Sequence, residues 1–109
     1  MEILTFRFEG GTRQLSATNQ LVGVVGSGNL EVLLCHADLP ATCEIEVNTA
    51  AVGFAPIWQA VMSDFHDRWQ LANVKISIND MGATPAVVRL RLDQAVQTCL
   101  DRASAGRKV

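Results

Sequence analysis

The sequence predicts an α+β fold: a mainly antiparallel sheet of about five strands with two helices packed on one face, a two-layer sandwich. Three observations lead there. Apolar and polar residues alternate with a period of two along several short stretches. The period changes to three and four in two longer stretches, both late in the chain. Finally, 109 residues that are 49% hydrophobic suffice for one core and one domain, residues 1–109.

In order, Leu4, Phe6 and Phe8 alternate with Thr5, Arg7 and Glu9, which marks a half-buried strand that Gly10-Gly11 ends. Residues 12–19 are polar and aperiodic and read as a loop. Leu21-Val22-Gly23-Val24-Val25 and Leu30-Glu31-Val32-Leu33-Leu34 are β-type runs facing each other across Gly26-Ser27-Gly28-Asn29, the pattern of a hairpin with a serine at its tip. Residues 35–40 connect it to a fourth strand, where Cys43, Ile45 and Val47 alternate with Glu44, Glu46 and Asn48. Phe54, Ile57, Trp58, Val61, Met62, Phe65 and Trp69 then form the apolar stripe of a helix over 56–69, with Pro56 in its first turn. On that side both tryptophans are expected in the core, and His66 beside the stripe reads as a packed or surface residue. Val74, Ile76 and Ile78 alternate as a fifth strand closed by Asp80-Met81-Gly82. Thr84-Pro85 opens a second helix over 85–100 as N-cap and first helical residue. Val88-Arg89-Leu90-Arg91-Leu92 also alternates like a strand, but Val88, Leu92, Ala95, Val96, Cys99 and Leu100 fit a helix over a longer window. The tail from about Ser104 is expected to fray. The expected sheet core is Leu4, Phe6, Val24, Val32, Ile45, Val47, Ile76 and Ile78.

Composition excludes several functions. A formal charge of −2 with scattered charged residues provides no basic field for nucleic acid. No apolar run approaches the ~20 residues that span a bilayer, and no signal-type segment opens the chain, so no membrane partner and a cytoplasmic location are expected. Cys35, Cys43 and Cys99 are odd in number and widely spaced, which favours unpaired small hydrophobes over disulfides or a metal site.

The stretch that carries chemistry is Gly26-Ser27-Gly28. Two flanking glycines remove side chains from both sides of the Ser27 hydroxyl and permit positive φ, so the hydroxyl is presented to whatever docks there. Turn chemistry alone favours a plain strand connection. A serine nucleophile elbow requires glycine two residues before and after, where Val25 and Asn29 stand. A dinucleotide fingerprint requires a helix after the glycines, where a strand stands. No acid or histidine is placed by sequence to activate Ser27, so no catalytic residue is assigned.

Val24-Val25-Gly26-Ser27-Gly28-Asn29-Leu30-Glu31-Val32-Leu33, with Asp80-Met81-Gly82-Ala83-Thr84-Pro85-Ala86-Val87-Val88-Arg89-Leu90-Arg91-Leu92, resembles the acyl carrier subunit of malonate decarboxylase, over about residues 3–96. The smaller carrier subunit of citrate lyase is similar around the Asp-x-Gly-Ala element. The family usually has Asp where Asn29 stands. The resemblance implies a covalent 2'-(5''-phosphoribosyl)-3'-dephospho-CoA arm on Ser27 through a phosphodiester, with Gly26 and Gly28 as flanks. It implies a non-catalytic carrier of acetyl and malonyl thioesters. The implied partners are an acetyl/malonyl transferase, a two-part decarboxylase, a prosthetic-group transferase and a malonyl loading enzyme. A thioester is needed because its carbonyl accepts, as an enolate, the charge that carbon dioxide loss leaves behind. A citrate-lyase-type carrier and an interaction module without cofactor are the alternative readings.

Overall fold

A computed structural model describes residues 1–14 and 21–106, with side chains described for 1–14 and 28–99. The chain runs β1 (Glu2–Phe8), β2 (Arg13–Gln14), β3 (Leu21–Ser27), β4 (Leu30–His36), β5 (Cys43–Thr49), α1 (Ala55–Trp69), β6 (Leu71–Ala72), β7 (Val74–Asp80) and α2 (Pro85–Gly106). This is the expected α+β sandwich. One five-stranded sheet is ordered β1-β5-β7-β4-β3, with both helices on one face.

Alternation along the strands separates the two faces. Val32 and Leu34 of β4, Ile45 and Val47 of β5, and Ile76 and Ile78 of β7 are buried against Trp58, Met62 and Phe65 of α1 and Val88, Leu92, Ala95 and Val96 of α2. Leu4, Phe6 and Phe8 are half-buried at the core's margin, as befits an edge strand. Glu44, Glu46, Lys75 and Ser77 fall on the uncovered face. There Glu44 pairs with Arg7 at 3.2 Å. Val24 lies outside the described side chains; the register sets it opposite Leu33, whereas Val25 stands opposite the buried Val32.

Four features depart from the sequence reading. Three of the four pairings in the large sheet are antiparallel, but β5 and β7 are parallel. The α1 crossover carries the chain back to the starting end before β7 begins, which forces that direction. Residues expected as loop include β2, which pairs in parallel with β6. Its cause is a long-range cap: Gln70 adopts the left-handed conformation as the C-cap of α1 (φ 51°), and its carbonyl accepts from the N–H groups of Thr12 and Arg13. Expected loop residues 15–19 lie outside the described part. Third, β4 continues through Cys35 and His36, held by pairing with β7. Fourth, α2 reaches Gly106 rather than ending near 100.

Gly11 is required by space. A Cβ there would lie 2.0 Å from the Leu71 carbonyl oxygen, where the 11–14 segment crosses β6. The three cysteines form no disulfide among the described residues: Cys43 and Cys99 are buried, and Cys35, on the alternate face of β4, is half-buried. Burial pushes the Cys43 thiol up to about 12. Among the described residues, no helix is long and apolar enough to cross a membrane and no cluster of three His, Cys, Asp or Glu side chains stands ready to hold a metal.

Candidate functional site

The β3–β4 hairpin closes with a two-residue turn, Gly28-Asn29. Ser27 is the last residue of β3 and pairs with Leu30, the first of β4; Gly26 pairs with Glu31. The serine thus sits on the closing rung, one position before the turn. The hydroxyl lies outside the described side chains. Two-residue hairpin turns usually need positive φ. Here neither Gly28 nor Asn29 is among the positive-φ residues, contrary to the expected use of glycine at this turn. The absent side chain matters for a different reason: Gly28 is exposed, and a Cβ built on it would meet nothing within 4 Å. The turn leaves open space at Gly28, the residue that follows Ser27.

The second stretch singled out from the sequence lies against the first. Leu30 pairs with Asp80 across β4 and β7, and Asp80 pairs with Thr49 across β7 and β5. Ser27, Leu30, Asp80 and Thr49 therefore occupy one rung at one end of the sheet. Beyond the rung, the Met81 N–H donates to the Asn29 carbonyl at 2.9 Å and ties the hairpin turn to the Asp80-Met81-Gly82-Ala83 segment.

Asp80 holds that segment. It is 2% exposed; its Oδ2 accepts from the Thr49 hydroxyl at 2.8 Å, and its Oδ1 accepts from the backbone N–H groups of Ala83 at 2.8 Å and Gly82 at 3.3 Å. A buried carboxylate is tolerable only when so satisfied. Gly82 takes φ +108°, a value that favours glycine, and the chain then enters α2. The Thr84 hydroxyl accepts from the Val87 N–H at 3.3 Å as the helix cap, as expected from Thr84-Pro85.

An apolar cavity of about 270 Å³ opens between the first turns of α1 and α2 at this end of the sheet. Its walls include Phe54, Ile57, Trp58, Val61, Ala83 and Val88, and among the described residues Asp80 is the one charged residue that borders it. The sequence reading assigned Phe54 and Ile57 to a core-facing stripe. Trp58, Met62 and Phe65 of that stripe are buried, but Phe54 and Ile57 are 47% and 45% exposed at the cavity. The cavity and the anchoring role of Asp80 were not read from sequence. The signal was a stripe that extends two residues, Phe54 and Ile57, beyond what the core covers, together with an Asp at the end of a buried strand.

The other candidates are placed elsewhere. His66 stacks on Phe8 with ring centroids 4.9 Å apart, consistent with a packed histidine. Trp69 lies near the Arg13 guanidinium, 5.6 Å from it, and its indole N–H donates to Asp93 at 2.8 Å. Ser77 is in the central strand β7, Ser63 accepts from Gln59 on α1, and Ser104 is within α2. Ser16 lies outside the described residues. Of the four serines within the described residues, Ser27 alone stands on a hairpin's closing rung.

The model of one family, described as malonate decarboxylase delta subunit (MdcD), matches residues 17–99. A malonate decarboxylase acyl carrier protein from Burkholderia cepacia is 59% identical over 95 residues, covering 87% of each chain. One from Stenotrophomonas maltophilia (strain K279a) is 57% identical over 101 residues, covering 92% of this chain and 95% of that one. Among solved structures, a chain of a Pseudomonas malonate decarboxylase hetero-tetramer in complex with malonate superposes with a TM-score of 0.74 at 42% identity, covering 91% of this chain and 99% of that one. With matches this extensive, across both Gly26-Ser27-Gly28 and the Asp80 segment, the chain belongs to the malonate decarboxylase delta subunit family, that of its acyl carrier protein.

Proposed function

We propose that this protein is the non-catalytic acyl carrier of a cytoplasmic malonate decarboxylase and that Ser27 carries 2'-(5''-phosphoribosyl)-3'-dephospho-CoA through a phosphodiester. The observation that carries the reading is the closing rung of the hairpin: Ser27 lies beside Gly28, whose surroundings are open. That space suits a modifying transferase, which must approach the serine from outside and can supply the base that the sequence does not place beside it. When attached, the arm supplies a thiol that holds acetyl and malonyl groups as thioesters, whose carbonyl stabilises the charge developed in decarboxylation.

The chain's own residues provide the platform. The Asn29 carbonyl and Met81 N–H fix the turn to the sheet end, and Asp80 holds the loop from which Met81 projects. A rigid base with a flexible tether keeps the acyl group at high effective concentration near successive partners without releasing it. The partners in this reading are an acetyl/malonyl transferase, a two-part decarboxylase, the prosthetic-group transferase and a malonyl loading enzyme. The Pseudomonas relative in a hetero-tetramer supports a multi-subunit setting.

The test is Ser27→Ala, with intact-mass measurement after incubation with the modifying transferase and with decarboxylation measured in the reconstituted complex. The expected result is a folded protein within about 0.5 kcal/mol of the parent, with no mass increment and no decarboxylation. A folded Ser27→Ala protein that still gains the arm, or supports full activity, refutes the assignment.

A further inference from the structure

We propose that the cavity between α1 and α2 is an intramolecular resting site for the acetyl thioester end of the arm, and that it rejects the malonyl thioester. The proposal rests on the carrier reading above and adds a ligand site with a defined selectivity.

Position is the first argument. Ser27 and Asp80 share one rung and are separated by the single strand β4. Two strand spacings place their backbones about 10 Å apart. Asp80 borders the cavity, and the Asn29 to Met81 hydrogen bond holds the hairpin turn against the same loop. A tether built on a coenzyme A skeleton is longer than that separation, so its end can fold back over the loop into the cavity.

Size and chemistry supply the second argument. A volume of about 270 Å³ is what roughly nine molecules of liquid water occupy. It accommodates a short acyl thioester and the first carbons behind the sulfur, but not the nucleotide part of the arm. The walls are carbon-rich, and the exposed Phe54 and Ile57 gain cover when a neutral group enters. Among the described residues, none that lines the cavity is basic. A malonyl carboxylate entering there would lose water without gaining a partner. Asp80, the one charged neighbour among the described residues, carries the same sign, and its oxygens are already engaged by Thr49, Gly82 and Ala83. Acetyl is neutral and pays neither cost. The carrier would thus shelter the acetyl form between encounters and leave the malonyl form in solvent, accessible to a decarboxylating partner.

The experiment uses the full-length protein bearing the arm, acetylated or malonylated, and measures thioester cleavage by hydroxylamine, which releases the acyl hydroxamate and the free thiol. S-Acetylpantetheine and S-malonylpantetheine give the unprotected rates. Acetyl on the protein should react about tenfold more slowly than its free control, the factor expected when about nine-tenths of the acetyl groups are sheltered. Malonyl on the protein should match its own control. Ala83→Leu fills the cavity, and Ile57→Glu, at a position 45% exposed, places a carboxylate at its mouth without disturbing the core; either variant should bring the acetyl rate back to the control. If the arm is present by mass but acetyl reacts at the free rate, or if both variants remain protected, the resting site is wrong while the carrier reading stands. If no arm is found on Ser27, the carrier reading falls and this proposal with it.

Discussion

Asp80→Ala is the substitution that most directly tests how the fold supports the site. The carboxylate is 2% exposed and accepts from the Thr49 hydroxyl and from the N–H groups of Ala83 and Gly82. Hydrogen bonds to a charged acceptor contribute about 1.5–3 kcal/mol each, but losing this one does not forfeit all three. Gly82 is exposed, so water can reach the loop N–H groups when the carboxylate is removed. Thr49 is 0% exposed and is left without its acceptor in the buried interior. One orphaned buried hydroxyl and two bonds passed to water amount to about 2–4 kcal/mol. Asp80→Asn keeps an oxygen for the loop and presents an amide to Thr49 Oγ1, so about 1 kcal/mol is expected. Urea unfolding of the two variants gives both differences. A Thr49→Val and Asp80→Ala double-mutant cycle should show coupling of about 1–2 kcal/mol. If Asp80→Ala unfolds within 0.5 kcal/mol of the parent, the buried carboxylate is not what holds the 80–84 segment, and the tie between hairpin turn and α2 needs another explanation.

Two glycines should respond differently to alanine. Gly11→Ala forces a Cβ into the Leu71 carbonyl and should destabilise by about 1–3 kcal/mol, whereas Gly28→Ala meets open space and should unfold within about 0.5 kcal/mol of the parent; equal effects in denaturant titrations would contradict the described geometry. Cys43 predicts a pH dependence. Its thiol is raised by burial to about 12 from 9.0, so the folded state favours the neutral form. That contribution is fully present below about pH 9 and is lost as pH rises towards 12, at up to about 1.4 kcal/mol per pH unit. Unfolding titrations between pH 8 and 10.5 should show the decline, and Cys43→Ala should lack that component.

Much of this protein was legible locally. The period-two runs named β1, β5 and β7, because an alternating sequence has only one face to bury, and the apolar runs on either side of a Gly-rich turn named β3 and β4. Pro56 and Thr84-Pro85 marked both helix starts because fixed φ and a side-chain cap act within a single turn. Val88 to Leu92 illustrates why the longer window was needed: five residues alternate like a strand, yet Val88, Leu92, Ala95 and Val96 line one buried helical face. Gly26-Ser27-Gly28 drew attention for the same local reason, since small residues between two β runs mark a connection; the turn itself is Gly28-Asn29, and Gly26 and Ser27 end β3, so the serine stands one residue before the tip expected from sequence.

What only the tertiary structure decided are relations between distant segments. Hydrophobic pattern states which face of a strand is buried and is silent on which strand lies beside it. The order β1-β5-β7-β4-β3, the parallel β5–β7 pair and the rung joining Ser27 to Leu30, Asp80 and Thr49 therefore emerged only from folding. The β2–β6 ladder likewise depends on Gln70 adopting a left-handed cap and offering its carbonyl to residues far back in the chain. Phe54 and Ile57 belong to the same stripe as Trp58 and Phe65, and periodicity treats them alike. The gap between the first turns of α1 and α2 leaves them lining a cavity. That gap is set by how two helices rest on one sheet, a distance that no residue along either helix encodes alone.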